Sequence, residues 1–306
     1  MTGYPPPGAA VRIVEVGPRD GLQNERAVVT VEDKIEFIGR LRAAGLSAIE
    51  VAAFVSPRRV PPMADADTVV RGLSRQAGVT YSALVPNLAG LRRALSAGLG
   101  EIAIFPAASE TFSRRNINRR IEESLAEFRE VVATALAAGV RVRGYLSTSF
   151  GCPYEGDVPA ARVAGLAERL LALGVYEVVL SDTIGVAHPG QVRALLQTVS
   201  AVVPVDVTAL HFHDTRGTGL ANVLMALSMG VTTFDASAGG LGGCPFAPGA
   251  AGNLATEDLV YMLDGLGVET GVDLARLILA SSFIESRLDH QLPSKVYQAE
   301  RRKPMG

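Results

Sequence analysis

The sequence predicts an α/β fold, a (β/α)8 TIM barrel with additional C-terminal helices, on three observations. Apolar, β-branched runs of five to eight residues alternate with longer amphipathic segments; there are eight such runs; and several amphipathic segments stop at a glycine suited to a helix C-cap. Eight strands alternating with helices allow a barrel or a doubly wound sheet. No G-x-G-x-x-G follows the first strand and no G-x-x-x-x-G-K occurs anywhere, so the barrel is favoured. The 306 residues exceed the roughly 250 of one barrel and are too few for two large domains. A single domain over 1–306 is expected, with the barrel in 11–265 and a helical extension in 266–306.

In chain order, the first strand is read at Val11–Val16, followed by a helix at Val31–Ala44 that stops at Gly45. Strands at Ala48–Ala52 and Thr80–Val85 precede a helix at Leu88–Ala97, stopped by Gly98. Next come a strand at Glu101–Phe105, a helix at Ile121–Ala138 ending at Gly139, and a strand at Arg141–Leu146. The helix Pro159–Leu173 ends at Gly174 before a strand at Tyr176–Leu180. A helix at Pro189–Val202, a strand at Asp206–Phe212, a helix at Leu220–Met229 ending at Gly230 and a strand at Thr232–Ala236 complete the alternation.

Composition excludes several classes of function. Hydrophobic content of 48% suffices for one large core, yet no run of about 18 apolar residues is present, so no membrane partner is expected. The segment Met1 to Ala10 is rich in Pro and Gly and has neither the basic and apolar regions of a signal peptide nor the character of a transit peptide, so a cytoplasmic location is expected. A net charge of −2 gives no reason for a nucleic-acid partner. Two cysteines, Cys152 and Cys244, make no disulfide framework. Three lysines stand against 26 arginines: Lys34 falls in a predicted helix, and Lys295 and Lys303 lie near the C-terminus. None suits a Schiff base. Carbon–carbon chemistry here would need a metal as its electron sink.

Barrel enzymes place reacting groups at the C-terminal ends of strands. Arg19 and Asp20 follow strand one, Glu50 is near the end of strand two, Asp182 follows strand six, His211 and His213 end strand seven, and Asn253 closes the loop after strand eight. All converge on one mouth. In H-F-H-D, residues i and i+2 of a strand face one side, so both imidazoles point together. Two histidines with oxygen donors suit a divalent ion, Mg²⁺ or Mn²⁺. Opposite that pair, Asp20 becomes an anionic ligand and Arg19 the cation that offsets developing oxyanion charge. The segment Gly239 to Asn253 has six glycines in fifteen residues with Cys244 among them, which reads as a lid delivering a thiol.

The segments E-V-G-P-R-D-G-L-Q-N-E, A-A-S-E-T-F-S-R-R-N-I-N, G-C-P-Y-E-G, D-T-I-G-V, H-F-H-D-T and G-L-G-G-C-P-F-A-P-G-A-A-G-N-L-A-T-E-D-L resemble the hydroxymethylglutaryl-CoA lyases, over about Val11 to Gln298. More broadly the chain is similar to the DRE-TIM metallolyases, whose condensing synthases share R-D-G and H-x-H-D but are not expected to carry the cysteine-centred glycine loop. The resemblance implies that Asp20, His211, His213 and Asn253 bind the metal, that Arg19 faces a thioester carbonyl, that Cys244 is the catalytic thiol, and that Glu50 and Asp182 complete the polar site. It implies cleavage of a CoA thioester substrate to acetyl-CoA and acetoacetate, with Asp20 or a ligand-side histidine, His211 or His213, as base, by a homodimer. Arg114 and Arg115, in the loop after strand four, are candidates for the CoA phosphates or for a solvated surface. The chain departs from the pattern at Arg216, where Tyr is expected, at Ser181 (Gly) and at Val179 (often Ser). A condensing synthase and a silent CoA-thioester-binding protein are the alternatives; the first would not need Cys244, and the second would bind without turnover.

Overall fold

Short β-branched and small apolar segments form eight parallel strands in the computed structural model, which describes residues 10–243 and 252–301. They are β1 (Arg12–Glu15), β2 (Ala48–Ala53), β3 (Thr80–Leu84), β4 (Glu101–Ile104), β5 (Arg141–Leu146), β6 (Glu177–Asp182), β7 (Thr208–Phe212) and β8 (Thr233–Ala236). Each pairs with its sequence neighbour, and β1 pairs with β8, so the sheet closes into a barrel. Both strand faces are covered, which is why these segments carry little polar alternation.

The helices are α1 (Val31–Ala43), α2 (Ala66–Gly72), α3 (Leu88–Ser96), α4 (Glu110–Ile117), α5 (Ile121–Ala137), α6 (Ala160–Leu173), α7 (Pro189–Val199), α8 (Gly219–Leu227), α9 (Thr256–Gly265), α10 (Leu274–Glu285) and α11 (Lys295–Glu300). The α1 start is set by Thr30, whose hydroxyl accepts from the Asp33 N–H at 3.1 Å, with Glu32 and Asp33 in the first turn and Arg40 and Arg42 in the last. In α5, Leu125, Phe128, Val132 and Ala135 recur at helical spacing and are buried against the barrel. Truncating Phe128 to Ala there would cost about 3–5 kcal/mol.

Three departures from the sequence expectation have local causes. Helix α4 replaces the loop after β4: it buries only Phe112 and Ser113, so it has no apolar stripe to read, and its signal is the Ser109 cap on the Phe112 N–H. Helix α2 is similarly short. Strand β7 starts at Thr208, because Val205–Val207 wind into a 3-10 turn after Pro204.

The C-terminal helices are more than an appendage. Helix α10 packs on α1 and α9, and α11 packs on α9. The Ser294 N–H donates to the Gly239 carbonyl at 3.0 Å, and Leu292 occupies the space a Cβ at Gly239 would need. With φ +66 there, only glycine fits without strain. The extension therefore grips the root of the glycine-rich segment.

Candidate active site

A short π-helical turn at Gly17–Gly21 follows β1, in which the Val16 carbonyl accepts from the N–H groups of Arg19 (3.1 Å) and Asp20 (2.7 Å). Glu15 holds this turn to the β8 end: its carboxylate accepts from the Gly17 and Ala238 N–H groups, each at 2.8 Å, and from the Thr256 hydroxyl at 2.7 Å. The turn places Arg19 and Asp20 over the barrel mouth. There Arg19 Nη1 donates to Asp20 Oδ1 at 2.8 Å and Arg19 Nε donates to Glu50. Glu50 lies within β2, buried, and holds Arg19 from below.

His211 and His213 meet Asp20. The ring centroids are 5.2 Å apart, and His211 Nε2 lies 3.7 Å from Asp20 Oδ2. One ligand atom from each of Asp20, His211 and His213 falls within 4.8 Å of the others. Phe212 points away and packs on Phe150, as strand alternation requires. Asn253 is brought in by a bridge to His213, and its amide Nδ2 donates to the Leu241 carbonyl at 3.2 Å. The two arms of the glycine-rich segment close beneath it, with the Gly252 N–H donating to the Gly242 carbonyl at 3.1 Å.

Two buried atoms at this point, His213 Nδ1 and Asn253 Oδ1, have no protein partner. A buried acceptor left unpaired costs about 1–3 kcal/mol, so such atoms at one place indicate a ligand. Burial, followed by the neighbouring His211 and Arg19, drives the His213 imidazole down to about 3, so it is neutral, the form a metal takes. Burial pushes Asp20 upward, but Arg19 and the histidines outweigh it and hold the carboxylate below its usual range. One carboxylate, two imidazoles and an amide oxygen are a donor set for a hard divalent cation, and among the described residues no thiolate takes part.

Behind His211 lies an element the sequence reading missed. The Asp235 Oδ2 is 3.2 Å from His211 Nδ1, and Arg143 Nη1 donates to Asp235 Oδ1 at 2.8 Å. Arg143 also donates through Nε to Glu177 and through Nη1, at 3.0 Å, to the Tyr145 hydroxyl. Burial alone would raise Asp235; Arg143 and His211 overcome it and bring it down to about 2. A lone Asp in T-F-D-A was the available signal, since β7–β8 register sets Asp235 beside His211.

Asp182 is the last residue of β6, and Glu177 and Ser181, of opposite parity, face the barrel interior and the cavity. Its own oxygens accept from the Val186 (2.9 Å) and Ala187 (3.0 Å) N–H groups, which fastens the loop before α7. Burial lifts its carboxyl to about 6. Arg114 and Arg115 are also displaced from expectation, on α4, where Arg115 stacks over Tyr154 at 4.2 Å. Cys244 lies outside the described residues. Cys152 is buried, with Sγ 2.9 Å from the Ser109 hydroxyl, and serves structure. Lys34 is engaged by Asp65 and the Pro62 carbonyl, away from the mouth.

A cavity of about 650 Å³ opens over these groups. Arg19, Asp20, His211 and His213 line it together with Tyr145, Ser181 and, farther along, Arg59 and Arg119. Arg19 stands beside the donor set, and Arg59 and Arg119 add two further cations along the cavity.

A closed parallel barrel with a carboxylate–imidazole cluster fitted for a divalent cation at the carboxyl ends of its strands defines a metal-site (β/α)8 barrel. The chain belongs to the HMGL-like family, whose model matches residues 10–284. It is 53% identical over 289 residues to the mitochondrial hydroxymethylglutaryl-CoA lyase of Gallus gallus, covering 94% of this chain and 97% of that protein. The crystal structure of the Bacillus subtilis HMG-CoA lyase matches with a TM-score of 0.95 at 50% identity, covering 97% of this chain and 99% of that one. An HMG-CoA lyase from Acinetobacter baumannii, solved in complex with coenzyme A and 3-methylmalate, matches with a TM-score of 0.91 at 40% identity, covering 97% of each chain.

Proposed function

We infer that this protein is a carbon–carbon lyase that cleaves 3-hydroxy-3-methylglutaryl-CoA to acetyl-CoA and acetoacetate, with Mg²⁺ or Mn²⁺ held by Asp20, His211, His213 and Asn253. The observation that carries this reading is the meeting of Asp20, His211 and His213 beside Arg19 in one cavity, in a chain half identical to lyases of that name. When bound, the ion would draw the substrate's 3-hydroxyl toward its alkoxide form. The hydroxyl proton passes to this cluster, to the Asp20 carboxylate or to a ligand-side imidazole; His211 has Nδ1 on Asp235 and Nε2 turned to Asp20 and the ion site. As the C2–C3 bond breaks, its electron pair becomes the enolate of acetyl-CoA, and Arg19 offsets the charge on the thioester oxygen. Glu50 keeps the guanidinium aimed. The resemblance assigns to Cys244 the proton returned to C2. Arg59 and Arg119 line the same cavity and are cations available to the CoA phosphates.

A cytoplasmic homodimer is the form proposed; no helix among the described residues is long and apolar enough to cross a membrane. The test is direct. Purified protein with Mg²⁺ should release acetoacetate and acetyl-CoA in equal amounts, lose activity on chelation, and regain it when the ion is restored. No acetoacetate, or full turnover with metal content confirmed as nil, would refute the reading.

A further inference from the structure

We propose that Asp235 is a positioning residue that fixes the tautomer of His211, keeping its proton on Nδ1 so that Nε2 is bare toward the metal, and that Arg143 fixes which oxygen of Asp235 does so. The proposal rests on the metal reading above and goes beyond its ligands.

The geometry is a buried relay across the barrel. Glu177 on β6 receives Arg143 Nε, Arg143 on β5 gives Nη1 to Asp235 Oδ1 at 2.8 Å, and Asp235 on β8 turns Oδ2 to His211 Nδ1 at 3.2 Å. His211 Nε2, on the far side of the ring, faces Asp20 Oδ2 at 3.7 Å. Every side chain in the relay is buried, so no solvent competes for these positions. A carboxylate can only accept here, so the imidazole nitrogen facing it carries the hydrogen. The other nitrogen is then a lone pair aimed at the ligand cluster. Outer partners of this kind set ring orientation and ligand basicity, and losing one typically costs about 10- to 100-fold in metal affinity. No carboxylate is paired with His213 as Asp235 is with His211; its Nδ1 is the unbonded buried atom of the ligand cluster.

Arg143 makes the proposal sharp. A guanidinium has donors only. In Asp235→Asn the amide oxygen must turn to Arg143 Nη1, which leaves the NH2 group facing His211 Nδ1. That nitrogen must then accept, and the proton moves to Nε2, the metal-facing position. The substitution is isosteric and leaves Arg143 paired with Glu177.

The experiment uses the full chain labelled with ¹⁵N-histidine; the sequence has four histidines, so their ring signals can be assigned by single substitutions. Two-bond ¹⁵N–¹H spectra report the tautomer, and calorimetry with Mn²⁺ reports affinity. Wild type with Mg²⁺ bound should show His211 protonated on Nδ1 and bare at Nε2. Metal-free Asp235→Asn should show the proton on Nε2, and its Mn²⁺ affinity should fall by about 10- to 100-fold. A wild-type proton on Nε2 overturns the assignment without any variant. Wild-type affinity in Asp235→Asn overturns it too, while leaving the metal reading intact. Failure of wild type to bind either ion removes the metal reading and this proposal together.

Discussion

Arg19→Met is the perturbation that most directly tests the chemistry. Met preserves much of the stem's bulk and removes the guanidinium bonded to both Glu50 and Asp20. Losing one oxyanion donor typically costs about 10²–10³ in rate. Arg19 is a full charge in a buried site, and a unit charge at about 4 Å with an effective dielectric near 20 contributes roughly 4 kcal/mol. At 1.36 kcal/mol per decade that is about 10³, so a loss of kcat of about 10³–10⁴ is expected. Glu50 is already displaced upward, by burial first and with Arg19 opposing, so without Arg19 it takes up a proton instead of standing as an unpaired charge. The fold should survive, and Mn²⁺ affinity should hold because Asp20, His211, His213 and Asn253 all remain in place. The assay is turnover of 3-hydroxy-3-methylglutaryl-CoA followed by acetoacetate, with melting temperature and Mn²⁺ calorimetry on the same preparation. A loss below about tenfold in a folded, metal-binding variant would make Arg19 a loop anchor and refute the oxyanion argument.

Three further outcomes are expected. His213→Ala should weaken Mn²⁺ binding measured by calorimetry, and unchanged affinity would return His213 to a packing role. Cys244→Ser, made in a Cys152→Ser background, should bind metal yet turn over far more slowly, because serine is a much weaker acid than a thiol of pKa about 8.5; equal rates in the two proteins would deny Cys244 the proton-transfer step. Glu257 is pushed up to about 8 by burial and accepts from the Gly239 N–H at 2.7 Å and from the Ser281 hydroxyl. A folded-state pKa above the unfolded value means stability is fullest below the unfolded pKa and is lost as pH rises through about 5 to 8, so Glu257→Gln should flatten that decline in denaturant midpoints. An identical offset from wild type at both ends of the window would count against it.

Much of the barrel was legible because its strands are parallel and buried on both sides, so each is a short β-branched run bounded by turn residues; Arg141–Leu146 matches at both ends. The His211–His213 pair was legible for a related reason, since strand parity is a property of sequence alone. The same parity applied to β6 separates Ser181, which lines the cavity, from Asp182, whose oxygens accept from the Val186 and Ala187 N–H groups. Asp235 escaped such a reading. It sits inside a four-residue strand between Phe234 and Ala236, and only the β7–β8 register shows that it faces His211. Helix α4 escaped because polar residues at helical spacing leave no stripe to find.

The interior of this barrel is charged where branched aliphatics usually dominate, and stability does not account for it. A buried ion pair is often no better than apolar residues of the same volume, and breaking one costs about 3–5 kcal/mol. Along the path from Glu177 to Asp20, the carboxylates are Glu177, Asp235, Glu50 and the partly buried Asp20, against the guanidiniums of Arg12, Arg143 and Arg19. With every carboxylate ionised, the excess is one negative charge. A cation at Asp20, His211 and His213 would offset it. Glu50 registers the imbalance: burial, with Asp235 and Asp20 adding to it, holds its carboxyl above the usual range even though Arg19 is bonded to it. The relay that aims His211 and the carboxylates that hold Arg19 are thus one charge system, joined at Asp20, which faces both Arg19 and His211.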